Sequence, residues 1–335
     1  MGYIKLNKEA FFDNLDYFSS LCTKDKLCIA LKDNAYGHGI YEVASMCSEY
    51  GIKHVFVRDL NEAEIVKEFE FESLLVLYEI PKVRDDSLIV AINSLEDLHV
   101  IPNGSKIELK IDTGMNRNGI VVDEVDDATN LIVKKELVLN GIFTHFCCAD
   151  EDNSITKEQE ELFLTTIAKV KSRVSSTCRV HCANTHGVFK VDMSRYDLAR
   201  VGIGAYGYIY FENIKNLKPV LSLHANKITT KNVTKGEHIG YGSSSFIASN
   251  NMIISNYDVG YGDGFIRLDE NKCATIADGR AILGRVSMDS LFVEGSDEEI
   301  CIFNDVKRLS IVHSTITYEI LTILNSNIKR FIVAH

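Results

Sequence analysis

The chain has 335 residues, 46% of them hydrophobic and 25% charged. This suits a folded globular protein of about two ~150-residue domains and excludes a largely disordered one. With 36 Lys and Arg against 47 Asp and Glu the net charge is −11, which disfavours nucleic acid and anionic membrane as general partners, both being polyanions.

The first element is helical. Phe11, Phe12, Leu15, Phe18 and Cys22 recur at three- and four-residue spacing behind a cap at Asn7. Eight short apolar runs follow, at 27–31, 54–57, 74–78, 88–92, 107–111, 139–144, 178–183 and 201–205. Each is rich in Val, Ile and Leu and bounded by polar or Gly residues, as strands buried on both faces are. Helical patterns lie between them. One carries Leu162, Phe163, Ile167, Val170 and Val174 behind a capping box at Thr156 and Gln159. Strands alternating with helices over ~200 residues predict a (β/α)8 TIM-type barrel. After Phe211 the texture changes. Residues 221–228, 252–255, 273–277, 281–286 and 291–293 read as strands, with helical periodicity returning at 317–325. The expected organisation is α/β: a barrel over 1–212, then a smaller β-rich domain over 213–335.

The nine cysteines are odd in number and contain no Cys-x-x-Cys pair. A disulfide framework is not expected; buried thiols in a reducing compartment are. The opening Met1-Gly2-Tyr3-Ile4-Lys5-Leu6 has no apolar secretory core and no Ser or Thr at position 6 for myristoylation. No apolar run reaches the roughly 18 residues of a membrane span. A cytoplasmic protein without membrane or nucleic-acid partners is the expectation, and no metal-ligand cluster stands out.

Barrels of this kind keep their chemistry at the C-terminal ends of the strands, with phosphate sites in the loops after strands 7 and 8. Lys32 ends the first strand. A partly desolvated lysine there can form a Schiff base, although position alone fits a surface lysine better. His181-Cys-Ala-Asn184-Thr185 ends strand 7, and Arg200-Val-Gly202-Ile203-Gly204 enters strand 8. Their hydroxyl, amide and Gly-flanked N–H donors suit a phosphate.

These segments, taken in order, resemble the alanine racemases. Lys32-Asp-Asn-Ala-Tyr36-Gly-His-Gly39 is similar to their pyridoxal-phosphate lysine motif, and Lys110-Ile-Asp-Thr-Gly-Met-Asn-Arg117 to a second motif. His145, the segments 181–185, 200–207 and 217–224, Gly240-Tyr241-Gly242, Gly260-Tyr261-Gly-Asp-Gly264, Gly284-Arg-Val-Ser-Met288-Asp289 and Thr317-Tyr318-Glu319 continue the series. The resemblance implies a barrel followed by a β domain, pyridoxal 5'-phosphate as cofactor, alanine as substrate and a homodimer with shared active sites. It implies D-alanine supply for peptidoglycan synthesis.

The same resemblance assigns roles. Lys32 would hold the cofactor and act as base toward the D-enantiomer; Tyr241, reaching in from the partner subunit, would serve the L-enantiomer. A tyrosine ordinarily titrates near ~10 and must be tuned to act as a base; His145 and Arg200 would do this. Arg200 would face the pyridine nitrogen and, always charged, leave it unprotonated. Tyr36, Asn184, Thr185, Tyr318 and the backbone at Gly202 and Ile203 would bind the phosphate. His181 would pack against the pyridine ring. Arg117 and the Met288 backbone would take the substrate carboxylate, and a carbamylated Lys110 would hold Arg117. Tyr261 and Asp289 would line the entrance and interface. Asp33 after the lysine and His186 after Thr185 depart from the usual small residues, and the stretch from Met288 to Tyr318 is short. The alternatives are a broader racemase acting on serine, a non-catalytic pyridoxal-phosphate-binding protein, and an amino-acid decarboxylase, whose usual acidic partner for the pyridine nitrogen Arg200 does not supply.

Overall fold

The computed structural model describes residues 2–334 except 152, 175–176, 212, 215, 242–245 and 268–272. Gly242 of the Gly-Tyr-Gly motif and residue 212 of the expected boundary lie outside the described residues.

Strand β1 (Tyr3–Asn7) alternates buried Ile4 and Leu6 with half-buried neighbours, the pattern of a strand with one wet face. The next eight strands are almost wholly buried. They are β2 (Leu27–Ala30), β3 (His54–Val57), β4 (Ser73–Val76), β5 (Ile89–Ile92), β6 (Lys106–Lys110), β7 (Val138–Phe143), β8 (Arg179–His181) and β9 (Ala199–Val201). All pair in parallel, in the order β8-β7-β6-β5-β4-β3-β2-β9. A bridge between Asn184 and Arg200 links the two end strands. Asp197 N–H donating to Val180 O (2.8 Å) and Arg200 N–H to Ala183 O (2.9 Å) support it. The result is the expected eight-stranded, nearly closed barrel.

Two local expectations shift and one holds. The last barrel strand is two residues earlier than the run at 201–205. Gly202 and Gly204 fold instead into a buried turn, with Ala205 N–H on Gly202 O at 3.0 Å, because glycine weakens extended backbone. The helix expected behind Thr156 starts at Asn153 and runs to Arg173. Thr156 and Gln159 are therefore buried helical residues, not a cap; the Gln159 carboxamide accepts from Cys147 N–H at 3.0 Å. At the first helix, Lys8–Cys22, Asn7 does cap, its Oδ1 accepting from Ala10 N–H at 2.9 Å.

The remaining strands are β10 (Leu221–Val233), β11 (His238–Ile239), β12 (Phe246–Ile247), β13 (Met252–Tyr257), β14 (Ile282–Leu283), β15 (Leu291–Glu294), β16 (Glu299–Phe303) and β17 (Lys329–Val333). β14-β15-β13-β10-β1-β17 form one sheet, with β16 also on β10. Residues 273–277 make only an isolated bridge, Thr275 to Ala281. β1, β11, β12, β16, β17 and the helix Lys307–His313 were not foreseen, so the first element is a strand and not the helix. The chain divides into two units: Met1–Phe11, Tyr36–Glu42 and Lys218–His335 form one, and Phe12–Ala35 with Val43–Leu217 the other. The barrel unit thus starts at Phe12, not at residue 1. β1 pairs with β10 (Leu6 opposite Leu221) and with β17 (Leu6 opposite Ile332). Its half-wet alternation suits that sheet and not a strand covered on both faces.

All nine cysteines are free, five of them buried. Among the described residues no helix is long and apolar enough to cross a membrane.

Leu6→Ala, at a fully buried position in β1, should destabilise the protein by about 2–4 kcal/mol in urea unfolding. Lys5→Ala on the wet face should change it by no more than about 0.5 kcal/mol. Equal effects would place β1 outside the core of its sheet.

Candidate active site

In the barrel unit the sequence-identified residues gather at one end. Lys32 follows β2 directly and begins an unusual turn. Asp33, Asn34, Ala35 and Tyr36 all have φ between 52° and 54°, a left-handed conformation that costs L-residues roughly 1–2 kcal/mol each. It is held by Ala35 N–H donating to Leu31 O (2.7 Å) and Asn34 N–H donating to Glu62 Oε1 (2.9 Å). Strain of this kind, kept in place by surrounding contacts, marks functional segments. Asp33 accepts from Lys32 Nζ at 3.0 Å and from Arg58 Nη1 at 2.9 Å.

Arg200, on β9, is only 5% exposed. Its Nη1 donates to His181 Nδ1 at 2.6 Å and its Nη2 to Thr144 O at 2.6 Å. Its guanidinium carbon lies 5.2 Å from the Phe143 ring centre. Because guanidinium only donates, His181 Nδ1 must be the acceptor, and its proton sits on Nε2. That nitrogen is 2.9 Å from Glu108 Oε2, and Phe143 stacks on the imidazole at 5.1 Å, nearly parallel. Burial pushes the His181 pKa down to about 4, against the pull of Glu108. Burial, then Arg200, Arg117, Lys110 and Lys32, also hold His145 well below its usual value. Both imidazoles are therefore neutral at pH 7.

Lys110 ends β6, 5% exposed, with its Nζ on Asn118 Oδ1. Desolvation first, then Arg117 and Arg200, lower its pKa to about 8. The site is a cluster of cations, Lys32, Lys110, Arg117 and Arg200, around a neutral histidine. In the loops after β8 and β9, Thr185 Oγ1 accepts from Gly202 N–H (3.0 Å) and Gly204 N–H (3.3 Å). Asn184 Oδ1 accepts from Gly187 N–H at 2.8 Å. Ile203 is fully buried in the same turn. His186 is a core residue: its Nε2 accepts from Tyr210 N–H at 3.3 Å and its ring stacks on Tyr210.

The other identified residues belong to the second unit and are brought together there in two groups. Tyr36 and Tyr318 have ring centres 5.7 Å apart. Gly37, next to Tyr36, has φ +78° and an added Cβ would lie 1.9 Å from Leu321 O, so only glycine fits. Tyr261 N–H donates to Ser287 O at 3.1 Å and Gly262 N–H to Met288 O at 2.8 Å. This holds Tyr261, Met288 and Asp289 in one corner. Tyr241 is 63% exposed.

Residues 6–209 match the alanine racemase N-terminal domain, and residues 220–332 the alanine racemase C-terminal domain. The chain belongs to the alanine racemase family. An alanine racemase of a Nitratiruptor species is 41% identical over 98% of this chain and 99% of its own length. That of a Campylobacter jejuni strain is 37% identical over 99% of this chain and 100% of its own. The family's fold is shared too. An alanine racemase structure from Clostridium difficile 630 superposes with a TM-score of 0.90 at 24% identity, covering 99% of this chain and 96% of that one. A Bartonella henselae alanine racemase structure with covalently bound pyridoxal phosphate gives 0.83 at 23% identity, covering 99% of each chain. Family membership makes the protein an amino-acid racemase, an isomerase.

Sequence reasoning missed Glu108 and Arg179. Glu108 is the only fully buried carboxylate among the described residues, yet nothing in Lys106-Ile-Glu-Leu-Lys110 by itself marks it as an interior charge. Gly141 inside β7 was the available signal, since a strand-internal glycine marks a close approach.

His181 titrates near about 6.5 when unfolded and near about 4 when folded. Between these values the unfolded chain binds more protons, so stability rises with pH. Acidification from pH 7 to 4.5 should lower stability by roughly 1–3 kcal/mol, and His181→Asn should flatten that slope in urea titrations. An unchanged slope would show that His181 is already charged in the folded protein.

Proposed function

We propose that the protein interconverts L-alanine and D-alanine using pyridoxal 5'-phosphate, as a homodimer in which Tyr241 of the partner subunit completes each site. The observation that carries the reading is the cation cluster of Lys32, Lys110, Arg117 and Arg200, with Arg200 held by the neutral His181 imidazole. Its donors fit an anionic phosphate and a carboxylate, and Lys32 fits an aldehyde carbon. Lys32 would hold the cofactor covalently. Asn184, Thr185, the Gly202 and Ile203 backbone, Tyr36 and Tyr318 would hold its phosphate. His181 would sit beside its ring. When bound, the cofactor supplies an electron sink that acidifies the substrate Cα–H.

The chain's own residues would do the rest. Lys32 Nζ would move the proton on one face of Cα. Tyr241 Oη of the partner subunit would move it on the other, so the substrate need not turn over. Arg117 and the Met288 backbone would clamp the carboxylate, with Tyr261 and Asp289 lining the entrance. Neutral His145 would donate its ring N–H to Tyr241 Oη while Arg200 supplies positive charge, and both favour the deprotonated phenol. Arg200 keeps its proton at any working pH, so it would offer the pyridine nitrogen a hydrogen bond without protonating it. That limits charge delocalisation and favours quick reprotonation, a racemase property rather than a decarboxylase one. The D-alanine formed would feed peptidoglycan synthesis in the cytoplasm.

Lys110 would be carbamylated. With a pKa of about 8, about a tenth of the amine is neutral at pH 7. The neutral amine can add carbon dioxide, lose a proton and become an anion beside Arg117.

Incubation of the cofactor-loaded protein with L-alanine in heavy water tests the reading. Exchange at Cα with build-up of D-alanine is expected, and a parallel L-serine arm sets the breadth. Carbon dioxide release without D-product would overturn it in favour of a decarboxylase, and no exchange would favour a binding protein. Lys32→Ala should lose the absorbance of lysine-bound cofactor. Tyr241→Phe should retain it while racemisation falls by roughly 10²-fold or more, the scale of a lost general base. With 13C-bicarbonate, a carbamate signal should appear in the wild type and vanish in Lys110→Ala; its absence from both would leave Lys110 a plain amine.

A further inference from the structure

Glu108 is the only fully buried carboxylate among the described residues, and the proposed chemistry does not explain its presence. It is completely buried in the middle of β6. Across the ladder, Glu108 faces Gly141 on β7, and Gly141 faces Arg179 on β8. The missing side chain at Gly141 opens the space between them. A Cβ there would lie 2.9 Å from the Glu108 carboxyl group. Through that gap Arg179 Nε reaches Glu108 Oε1 at 2.5 Å, while the other oxygen, Oε2, lies 2.9 Å from His181 Nε2. Arg179 is held from behind, its Nη1 donating to Ser73 Oγ at 3.0 Å, and Ser73 Oγ is 2.9 Å from His54 Nδ1. On the other side His181 Nδ1 receives Arg200 Nη1 at 2.6 Å. A continuous, largely buried chain therefore runs Arg179, Glu108, His181, Arg200, with the carboxylate and the neutral imidazole between two guanidiniums.

We propose that Glu108 is a positioning residue for racemisation: by accepting from His181 Nε2–H it fixes the imidazole tautomer whose Nδ1 aims Arg200 at the cofactor's ring nitrogen. This rests on the proposed function. The physical case is that an imidazole has two neutral tautomers, and only one can accept from a guanidinium at Nδ1. A carboxylate only accepts, so Glu108 selects the Nε2–H form. Its negative charge also offsets two largely buried guanidiniums. With a neutral amide at 108, the NH2 group would compete for His181 and repel Arg179, and the aim of Arg200 would loosen. A ring nitrogen no longer faced by Arg200 can take a proton. The cofactor then becomes a deeper electron sink, and the substrate carbanion lives long enough for protonation at the wrong carbon. The balanced consequence is half-transamination: alanine leaves as pyruvate, and the cofactor's aldehyde becomes an amine.

The test uses the cofactor-loaded dimer, wild type and Glu108→Gln. The readouts are 15N NMR of the histidine rings, with His181 identified by its loss in His181→Asn, and pyruvate released per racemisation event. In the wild type His181 should show one protonated and one bare nitrogen from pH 5 to 9. In Glu108→Gln that pattern should collapse toward tautomer averaging, kcat should fall about tenfold with KM within twofold, and pyruvate per turnover should rise at least tenfold. Gly141→Ala, which crowds the carboxylate without removing it, should move the same readouts in the same direction and serves if Glu108→Gln fails to fold. A wild-type His181 protonated on Nδ1 or on both nitrogens would overturn the proposal. So would unchanged pyruvate partitioning in a folded variant. Failure of the wild type to racemise alanine would instead strike the functional reading, since the ring tautomer is measured without turnover.

Discussion

A guanidinium almost sealed from water is the constraint around which this barrel is organised. Removing a charge from water costs several kcal/mol even after relaxation, and Arg200 is only 5% exposed. The surrounding strands compensate with directed acceptors: His181 Nδ1, the carbonyls of Thr144 and Cys182, and the face of Phe143. Glu108 adds the opposing charge two groups away. Each acceptor comes from a strand adjoining or near the β8–β9 seam. The geometry of barrel closure and the solvation of Arg200 are one problem with one solution.

The positive potential that results spreads through the site. It helps to lower Lys110 to about 8 and to keep His145 neutral. The two outcomes differ: Lys110 keeps most of its charge at pH 7, whereas the neutral histidine carries one hydrogen-bond donor and one acceptor. Burial is the first cause in both cases, and the neighbouring cations reinforce it. The same cations make the pocket a natural host for phosphate and carboxylate despite the protein's net charge of −11. Local desolvated charge outweighs screened surface charge at short range.

Backbone strain plays a parallel part at Lys32. Four successive left-handed residues follow it, and a half-buried Glu62 carboxylate, its pKa raised chiefly by desolvation, holds the turn through the amides of Asn34 and Arg58. Asp33, a departure from the usual small residue, closes an ion pair with Lys32 and Arg58. These partly exposed pairs contribute little to stability, on the order of 0–1 kcal/mol each. Their effect is on where the lysine amine stands.

The sequence by itself determined the architecture and the family. Short runs rich in Val, Ile and Leu read as strands covered on both faces, and eight of them spaced by helices predict a barrel. The motifs from Lys32 to Tyr318 are ordered strongly enough to identify the family. What only the tertiary structure decided depends on contacts between distant segments. β1 joined the C-terminal sheet because its pairing with β10 and β17 rewards a half-wet alternation that a barrel strand cannot use. β17 and β16 were illegible because short mixed runs acquire strand structure only beside a partner. Glu108 was not singled out because the residues of one strand say nothing about a missing side chain in the next. Gly141, Arg179 and His181 make it an interior charge, and that requires β6, β7 and β8 to be already in register.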